Sequence, residues 1–293
     1  MIIESVVSLF GLGFVSASIL SVASKLLAVE EDPRLEVVVE ALPGANCGGC
    51  GFAGCEAYAA AVLNDPNIEP NKCCAGGPDV AKQLAELTGK AAGDADPQVA
   101  FRRCMKIEGN VVKKFDYFGI MSCAAAKIIQ DGPDACAFSC IGLGDCVRAC
   151  PFDAMWIEDG LVHIAPEKCT SCGTCVRICP NSILELIPRR SRVMVFCSSQ
   201  DKGKAVKDVC EVGCISCGMC IKKCPAEAIS LVDERIHIDH KACLAYGPSC
   251  KEVCVEKCPR AILRCLNPDM IADAPETEPA RFPEESHVPN LQA

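Results

Sequence analysis

The sequence predicts an α+β chain assembled from three kinds of part: an apolar N-terminal helix, a small cysteine-rich domain, and two tandem copies of one cysteine-loop module. Three observations carry this. Residues 6–24 hold no charged side chain, a run close to the roughly 20 residues that span a bilayer as a helix. The dipeptide Cys-Pro recurs at Cys150-Pro151, Cys179-Pro180, Cys224-Pro225 and Cys258-Pro259, each time followed by a short apolar run. Between the members of each pair, AMWI-EDG-LVHI and AISLV-DER-IHI place β-forming residues around polar turns, which reads as two hairpins. The repeated unit is therefore cysteine loop, helical turn, strand, strand, cysteine loop, helical turn.

Composition limits what such a chain does. Its 293 residues suffice for about two ordinary domains. It carries 26 cysteines, yet no positively charged n-region or Ala-x-Ala-like cleavage site marks it for secretion. In a reducing compartment such cysteines bind metal rather than pair as disulfides. A net charge of −9 argues against general nucleic-acid binding, which needs a basic face. With one tryptophan and three tyrosines, the metal sites should organise much of the core.

In chain order, residues 1–28 form the transmembrane anchor. Glu4 precedes the apolar run, and Lys25 and Arg34 follow it, an asymmetry that leaves the bulk of the protein on the cytoplasmic side of a single-pass anchor in the cell membrane. Gly13, Ala17 and Ser21 recur every four residues, a small-residue stripe suited to helix contact. Residues 29–91 form the small domain, with helices expected at residues 56–63 and 79–87; Asp79 is the expected N-cap and Gly89 lies past the end. Residues 92–126 read as a linker region, including the hairpin-like IEGNVVKKFDY between Cys104 and Cys123. The first module covers 127–190, a connector 191–209, and the second module 210–266. The tail, 267–293, is rich in Pro, Glu and Asp and reads as disordered.

The cysteine loops carry the chemistry. CTSCGTCVRICP, from Cys169 to Pro180, has the spacing Cys-x2-Cys-x2-Cys-x3-Cys-Pro, and CISCGMCIKKCP, from Cys214 to Pro225, repeats it. In this bacterial ferredoxin run three thiolates wrap one 4Fe-4S cluster and the fourth serves a neighbour. Structural zinc instead uses two knuckle pairs. The chain thus holds two tandem bacterial-type 2(4Fe-4S) ferredoxin modules. Each regular loop has a less regular partner, at Cys136, Cys140, Cys146 and Cys150 and at Cys243, Cys250, Cys254 and Cys258. Crossed ligation groups Cys136, Cys140, Cys146 with Cys179, and Cys169, Cys172, Cys175 with Cys150. It groups Cys214, Cys217, Cys220 with Cys258, and Cys243, Cys250, Cys254 with Cys224; Cys210 is an alternative in the last module.

Upstream, NCGGCGFAGCEAYA places Cys47, Cys50 and Cys55 among glycines, and NKCCAGG supplies Cys73, with Cys74 as its competitor. Four thiolates without histidine fit a further 4Fe-4S cluster better than zinc. The expected total is five 4Fe-4S clusters. Cys74, Cys104, Cys123, Cys197, Cys210 and Cys265 are left over, as buried thiols or as an additional cluster or redox pair. No Gly-x-Gly-x-x-Gly follows a strand and no P-loop occurs, so neither a flavin nor an NAD site is visible on this chain. The chain should carry electrons, with no catalytic residue of its own. Arg102, Arg103 and Lys106, or Arg189, Arg190 and Arg192, or Lys202, Lys204 and Lys207 would attract an acidic electron donor.

The order of these parts resembles the B subunits of the Rnf complex family. The resemblance rests on the membrane segment, on ALPGANCGGCGFAGCEAYA with NKCCAGG, on CIGLGDCVRACPFDAM and on CTSCGTCVRICP. It covers nearly the whole chain and extends through the second module, as in longer members of the family. The family's Cys-x-Pro-Gly-Gly stretch stands here as Cys73-Cys74-Ala75-Gly76-Gly77. The resemblance implies a component of a membrane-bound, ion-translocating ferredoxin:NAD oxidoreductase. Such a component accepts electrons from reduced ferredoxin and relays them to membrane and peripheral subunits that carry the flavins, the NAD site and the ion path. A relay protein of a hydrogenase- or dehydrogenase-linked membrane complex would share the same loops.

Overall fold

The computed structural model of the chain describes residues 2–26, 32–91, 93, 96–107 and 109–265; the tail read at 267–293 lies outside them. The chain opens with α1 (Ile2–Leu26), a helix of 25 residues. Its Leu9, Phe10, Leu12, Phe14, Ile19 and Leu20 side chains are exposed. The expected N-terminal helix is present, but a membrane span is not shown. Among the described residues no helix is long and apolar enough to cross a membrane.

The small domain consists of α2 (Leu35–Glu40), α3 (Cys55–Asn64) and α4 (Gly77–Thr88). Val38, Leu42, Tyr58, Ala59, Val62 and Leu84 form its core. The two expected helices form and run slightly longer than expected. α4 enters through Gly76 rather than Asp79, with Pro78 in its first turn, where a missing N–H costs nothing. Gly89 ends it at φ +69°, the left-handed cap that a glycine takes without a Cβ clash. Lys90 donates to the carbonyls of Val62, Asp65 and Ile68, tying the end of α4 to the last turn of α3.

The first module runs through β1 (Gln98–Arg102), α5 (Cys123–Ile128), α6 (Asp145–Arg148), β2 (Met155–Glu158), β3 (Leu161–Ile164), α7 (Thr174–Ile178) and β4 (Leu184–Pro188). The second runs through β5 (Val193–Val195), α8 (Gly203–Val209), α9 (Met219–Lys223), β6 (Ile229–Val232), β7 (Arg235–Ile238), α10 (His240–Tyr246), α11 (Val253–Glu256) and β8 (Leu263–Cys265). Both expected hairpins form, as β2–β3 and β6–β7. His163 faces Trp156 across the first, and His237 occupies the matching place opposite Ser230. His163 stacks on the Trp156 ring at 5.4 Å.

Two further pairings were not legible. β1 pairs antiparallel with β4, Gln98 opposite Pro188 and Arg102 opposite Leu184, and β5 pairs with β8. Each module is closed by its first and last strands. β1 thus lies in the stretch read as a linker, and β5 and α8 lie in the stretch read as a connector. Among the described residues the hairpin expected in IEGNVVKKFDY is not seen. Val111 bridges Cys210 and Lys113 bridges Asp134, so this stretch pairs outward rather than with itself.

The seam between the modules is packed. Phe101 and Phe196 meet edge to face at 4.9 Å, beside Val99, Ile187 and Met194. Arg103, 6% exposed, donates to the carbonyls of Cys197 and Ile236 and pairs with Glu185 at 3.2 Å. The hydroxyl of Ser198 donates to the carbonyl of Phe138 at 2.9 Å.

Candidate iron–sulfur centres

In the small domain, Cys47, Cys50, Cys55, Cys73 and Cys74 line one cavity of about 320 Å³. Asn46 accepts the N–H of Cys55 at 2.8 Å, which sets Cys55 at the first turn of α3. Burial pushes both Cys73 and Cys74 thiols up, and their neighbours differ. Cys73 is raised further by Cys55, Cys50 and Cys47, whereas Cys74 is raised by Cys47, Cys50 and Cys172 of the first module. The thiol of Cys74 donates to the carbonyl of Gly49 at 3.6 Å. Both thus lie near Cys47 and Cys50; Cys73 also neighbours Cys55, and Cys74 also neighbours Cys172 of the module.

The two domains touch here. A Cβ on Gly49 would stand 2.8 Å from Cys172 Cα. Arg177 and Thr174 both donate to the carbonyl of Cys47, at 3.3 and 3.4 Å.

In the first module, a cavity of about 360 Å³ is lined by Cys123, Cys140, Cys146 and Cys179. Of the expected grouping, Cys140, Cys146 and Cys179 line this cavity together with Cys123, while Cys136 lines another. Cys140-Ile-Gly-Leu-Gly-Asp-Cys146 has the same length as Cys214-Ile-Ser-Cys-Gly-Met-Cys220, with Leu143 where the second module has Cys217. Cys123 stands beside this loop at the start of α5. Ser122 caps that helix by accepting the N–H of Ala125, and Asp145 braces it by accepting from Ser122 and from the Ala124 N–H, both at 3.0 Å.

Cys150 neighbours the thiols of the regular loop. Burial pushes the Cys175 thiol up to about 12, and Cys169, Cys172 and Cys150 add to the rise. The N–H of Ala100 points at Cys169 Sγ at 3.4 Å.

In the second module, Cys214, Cys217, Cys220 and Cys258 line a cavity of about 300 Å³. Burial pushes Cys254 to about 11, and Cys224, Cys243 and Cys250 add to it. Cys210, the alternative ligand here, lies elsewhere. Gly144, Gly173 and Gly218 enter the loop helices at φ of +79°, +71° and +70°. That conformation turns the chain so that the following cysteine faces inward, and only glycine adopts it at little cost.

Each set presents thiols and apolar walls, the donor chemistry that iron–sulfur clusters take. Among the described residues no group of three or more His, Cys, Asp or Glu stands as the site of one metal ion. A cubane spreads its four thiolates around an eight-atom core, so its ligands stand farther apart than the tetrahedral ligands of a single zinc. Sets of four cysteines around a shared cavity fit the cluster.

The basic groups differ in what they are free to do. Arg103 is buried, and Lys106 is spent on Asp134 at 2.7 Å. Arg189 donates to the carbonyls of Pro166 and Cys169, Arg190 pairs with Asp96, and Arg192 pairs with Glu252. Lys202 pairs with Glu234, and Lys204 and Lys207 are exposed on α8.

Comparison with known proteins finds iron–sulfur domains in this chain. A family model described as a putative Fe-S cluster matches residues 42–74, and one described as a 4Fe-4S dicluster domain matches residues 129–180. The chain is 44% identical to the B subunit of the proton-translocating ferredoxin:NAD(+) oxidoreductase complex of Clostridium ljungdahlii, over 87% of this chain and 89% of that protein. It is 41% identical to the B subunit of the ion-translocating oxidoreductase complex of Methanosarcina acetivorans, over 87% of this chain and 97% of that one. It is also 41% identical to the B subunit of the Na(+)-translocating ferredoxin:NAD(+) oxidoreductase complex of Acetobacterium woodii, over 89% and 74%. With identity at this level over most of both chains, the protein belongs to the family of B subunits of the Rnf ion-translocating oxidoreductase complexes.

Proposed function

We propose that this chain accepts electrons from reduced ferredoxin and relays them through its 4Fe-4S clusters to the other subunits of an ion-translocating ferredoxin:NAD oxidoreductase. The observation that carries the reading is the adjacency of the cysteine sets. Cys74 and Gly49 of the small domain lie against Cys172 of the first module. Cys146, of one set in that module, lies near Cys175 of the next. When bound, the clusters would supply reversible one-electron chemistry.

The residues that would hold them are Cys47, Cys50, Cys55 and Cys73; Cys123, Cys140, Cys146 and Cys179; Cys150, Cys169, Cys172 and Cys175; Cys214, Cys217, Cys220 and Cys258; and Cys224, Cys243, Cys250 and Cys254. The rest of the chain tunes and insulates them. Backbone N–H groups aimed at sulfur, such as that of Ala100 at Cys169, stabilise negative charge there. The apolar cores around each loop keep water out.

The same reading makes α1 a membrane anchor that holds the relay beside the ion-translocating subunits. Its support is the uncharged run from Val6 to Ser24 and the apolar side chains left exposed among the described residues. Deleting residues 2–26 should move the protein from the membrane to the soluble fraction of a cell lysate; retention at the membrane would overturn the anchor.

Anaerobically purified full chain should contain iron and sulfide in equal amounts and negligible zinc. Reduced ferredoxin should bleach its visible absorption. Zinc in place of iron, or clusters that ferredoxin cannot reduce, would overturn the relay.

A further inference from the structure

Four cysteines outside these sets share one cavity. Cys104, Cys136, Cys197 and Cys210 line a space of about 370 Å³ at the seam between the modules, together with Met105, Val111, Phe138, Phe196 and Val206. The cavity is comparable in size to the other three described above.

The internal repeat explains why these four meet. Cys104 stands two residues past the end of β1, and Cys197 two residues past the end of β5. Cys136 precedes Cys140 by four residues, and Cys210 precedes Cys214 by four. Each module thus contributes the same pair of positions, one after its first strand and one before its first loop.

The N–H of Ser199 donates to Cys197 Sγ at 3.5 Å. Burial pushes the Cys104, Cys136 and Cys210 thiols up, and the backbone N–H groups of Lys106, Phe138 and Val212 oppose that rise. Backbone N–H groups beside sulfur favour the thiolate that iron takes.

We propose that Cys104, Cys136, Cys197 and Cys210 hold a further 4Fe-4S cluster, and that this cluster connects the clusters of the first module to those of the second. The set neighbours a ligand residue of each module. The N–H of Cys214 donates to Cys197 Sγ at 3.3 Å. Cys140 lies close enough to Cys104 for its backbone N–H to oppose the rise of the Cys104 thiol and for Cys104 to push the Cys140 thiol up. Each transfer oxidises one cluster by one electron and reduces the next by one, with no bond formed or broken. The buried charge of Arg103 beside Cys104 and Cys197, and the Lys106–Asp134 pair at the rim, set the local field. The inference rests on the reading of the other sets as clusters.

Native mass spectrometry of the anaerobically purified full chain counts clusters per molecule. The wild type should reach six clusters, about 24 irons, rather than five and about 20. Cys197→Ala and Cys210→Ala should each reach five, while Cys74→Ala and Cys265→Ala should keep six. A wild type that stops at five, or a Cys197→Ala protein that keeps six, overturns the proposal and leaves the relay reading standing. Absence of iron overturns both. If the Cys197 and Cys210 variants do not fold, the wild-type count with the Cys74 and Cys265 variants decides, because a sixth cluster then has only these four cysteines left to hold it.

Discussion

Gly49 of the small domain lies against Cys172 of the first module so closely that a Cβ on Gly49 would come within 2.8 Å of Cys172 Cα and 3.0 Å of its carbonyl oxygen. Glycine is required there for space. Gly49→Ala must push the two domains apart, at a cost of about 1–3 kcal/mol for overpacking. The expected result is full iron content with slower internal electron equilibration after a sub-stoichiometric pulse of reductant. An unchanged rate would mean that the contact carries no electron path.

Cys73 and Cys74 compete for one role, and their neighbours distinguish them. Both neighbour Cys47 and Cys50, but Cys73 also neighbours Cys55, while Cys74 also neighbours Cys172 and donates to the carbonyl of Gly49. Cys73→Ala should lose one cluster, about four irons, and Cys74→Ala none. Iron and sulfide assays read this directly, and the reverse pattern would reassign the ligand.

Asp145 holds the start of α5, and with it Cys123, through the Ser122 hydroxyl and the Ala124 N–H. Asp145→Ala orphans that N–H and frees the helix start, a loss of about 1–3 kcal/mol. One cluster should become labile. Iron release to a chelator should show about four fast-leaving irons, and a uniform release profile would refute the brace.

Lys204 and Lys207 are exposed on α8, whose end leads directly into Cys210. An acidic ferredoxin docking on this face would stand close to the seam. Lys204→Glu with Lys207→Glu should slow ferredoxin-dependent reduction about tenfold at low ionic strength, the effect fading as salt is added. A rate independent of both charge and salt would place docking elsewhere.

Burial raises the cysteine thiols, to about 12 at Cys136 and Cys140 and about 11 at Cys214, from an ordinary value of 9.0. In a chain stripped of iron, the folded state keeps these thiols neutral while the unfolded state ionises them. Their contribution to stability is thus complete below pH 9 and is lost between pH 9 and about 12. Thermal melts of the stripped chain should fall steeply over that window. The iron-loaded chain, whose sulfurs are already thiolates, should show no such fall. At the acid end, burial raises Asp145 but the Ala124, Ser122 and Cys123 donors outweigh it and hold the carboxyl low, so its support is lost only as pH drops through that lowered value.

The sequence by itself determined the regular loops, the hairpins and the family. CTSCGTCVRICP places its four cysteines within eleven residues, and a local turn pattern decides which of them face one core. The β2–β3 and β6–β7 hairpins follow from alternation around polar turns, again a local property. The tertiary structure decided the rest. Cys123 lines one cavity with Cys140, Cys146 and Cys179, and Cys136 lines another with Cys104, Cys197 and Cys210. No local spacing announces either set. They exist because β1 closes on β4, β5 closes on β8, and Phe101 meets Phe196 across the seam. Those pairings join segments far apart in the chain, where contact is set by packing and strand register, and a spacing rule read along one loop has no access to it.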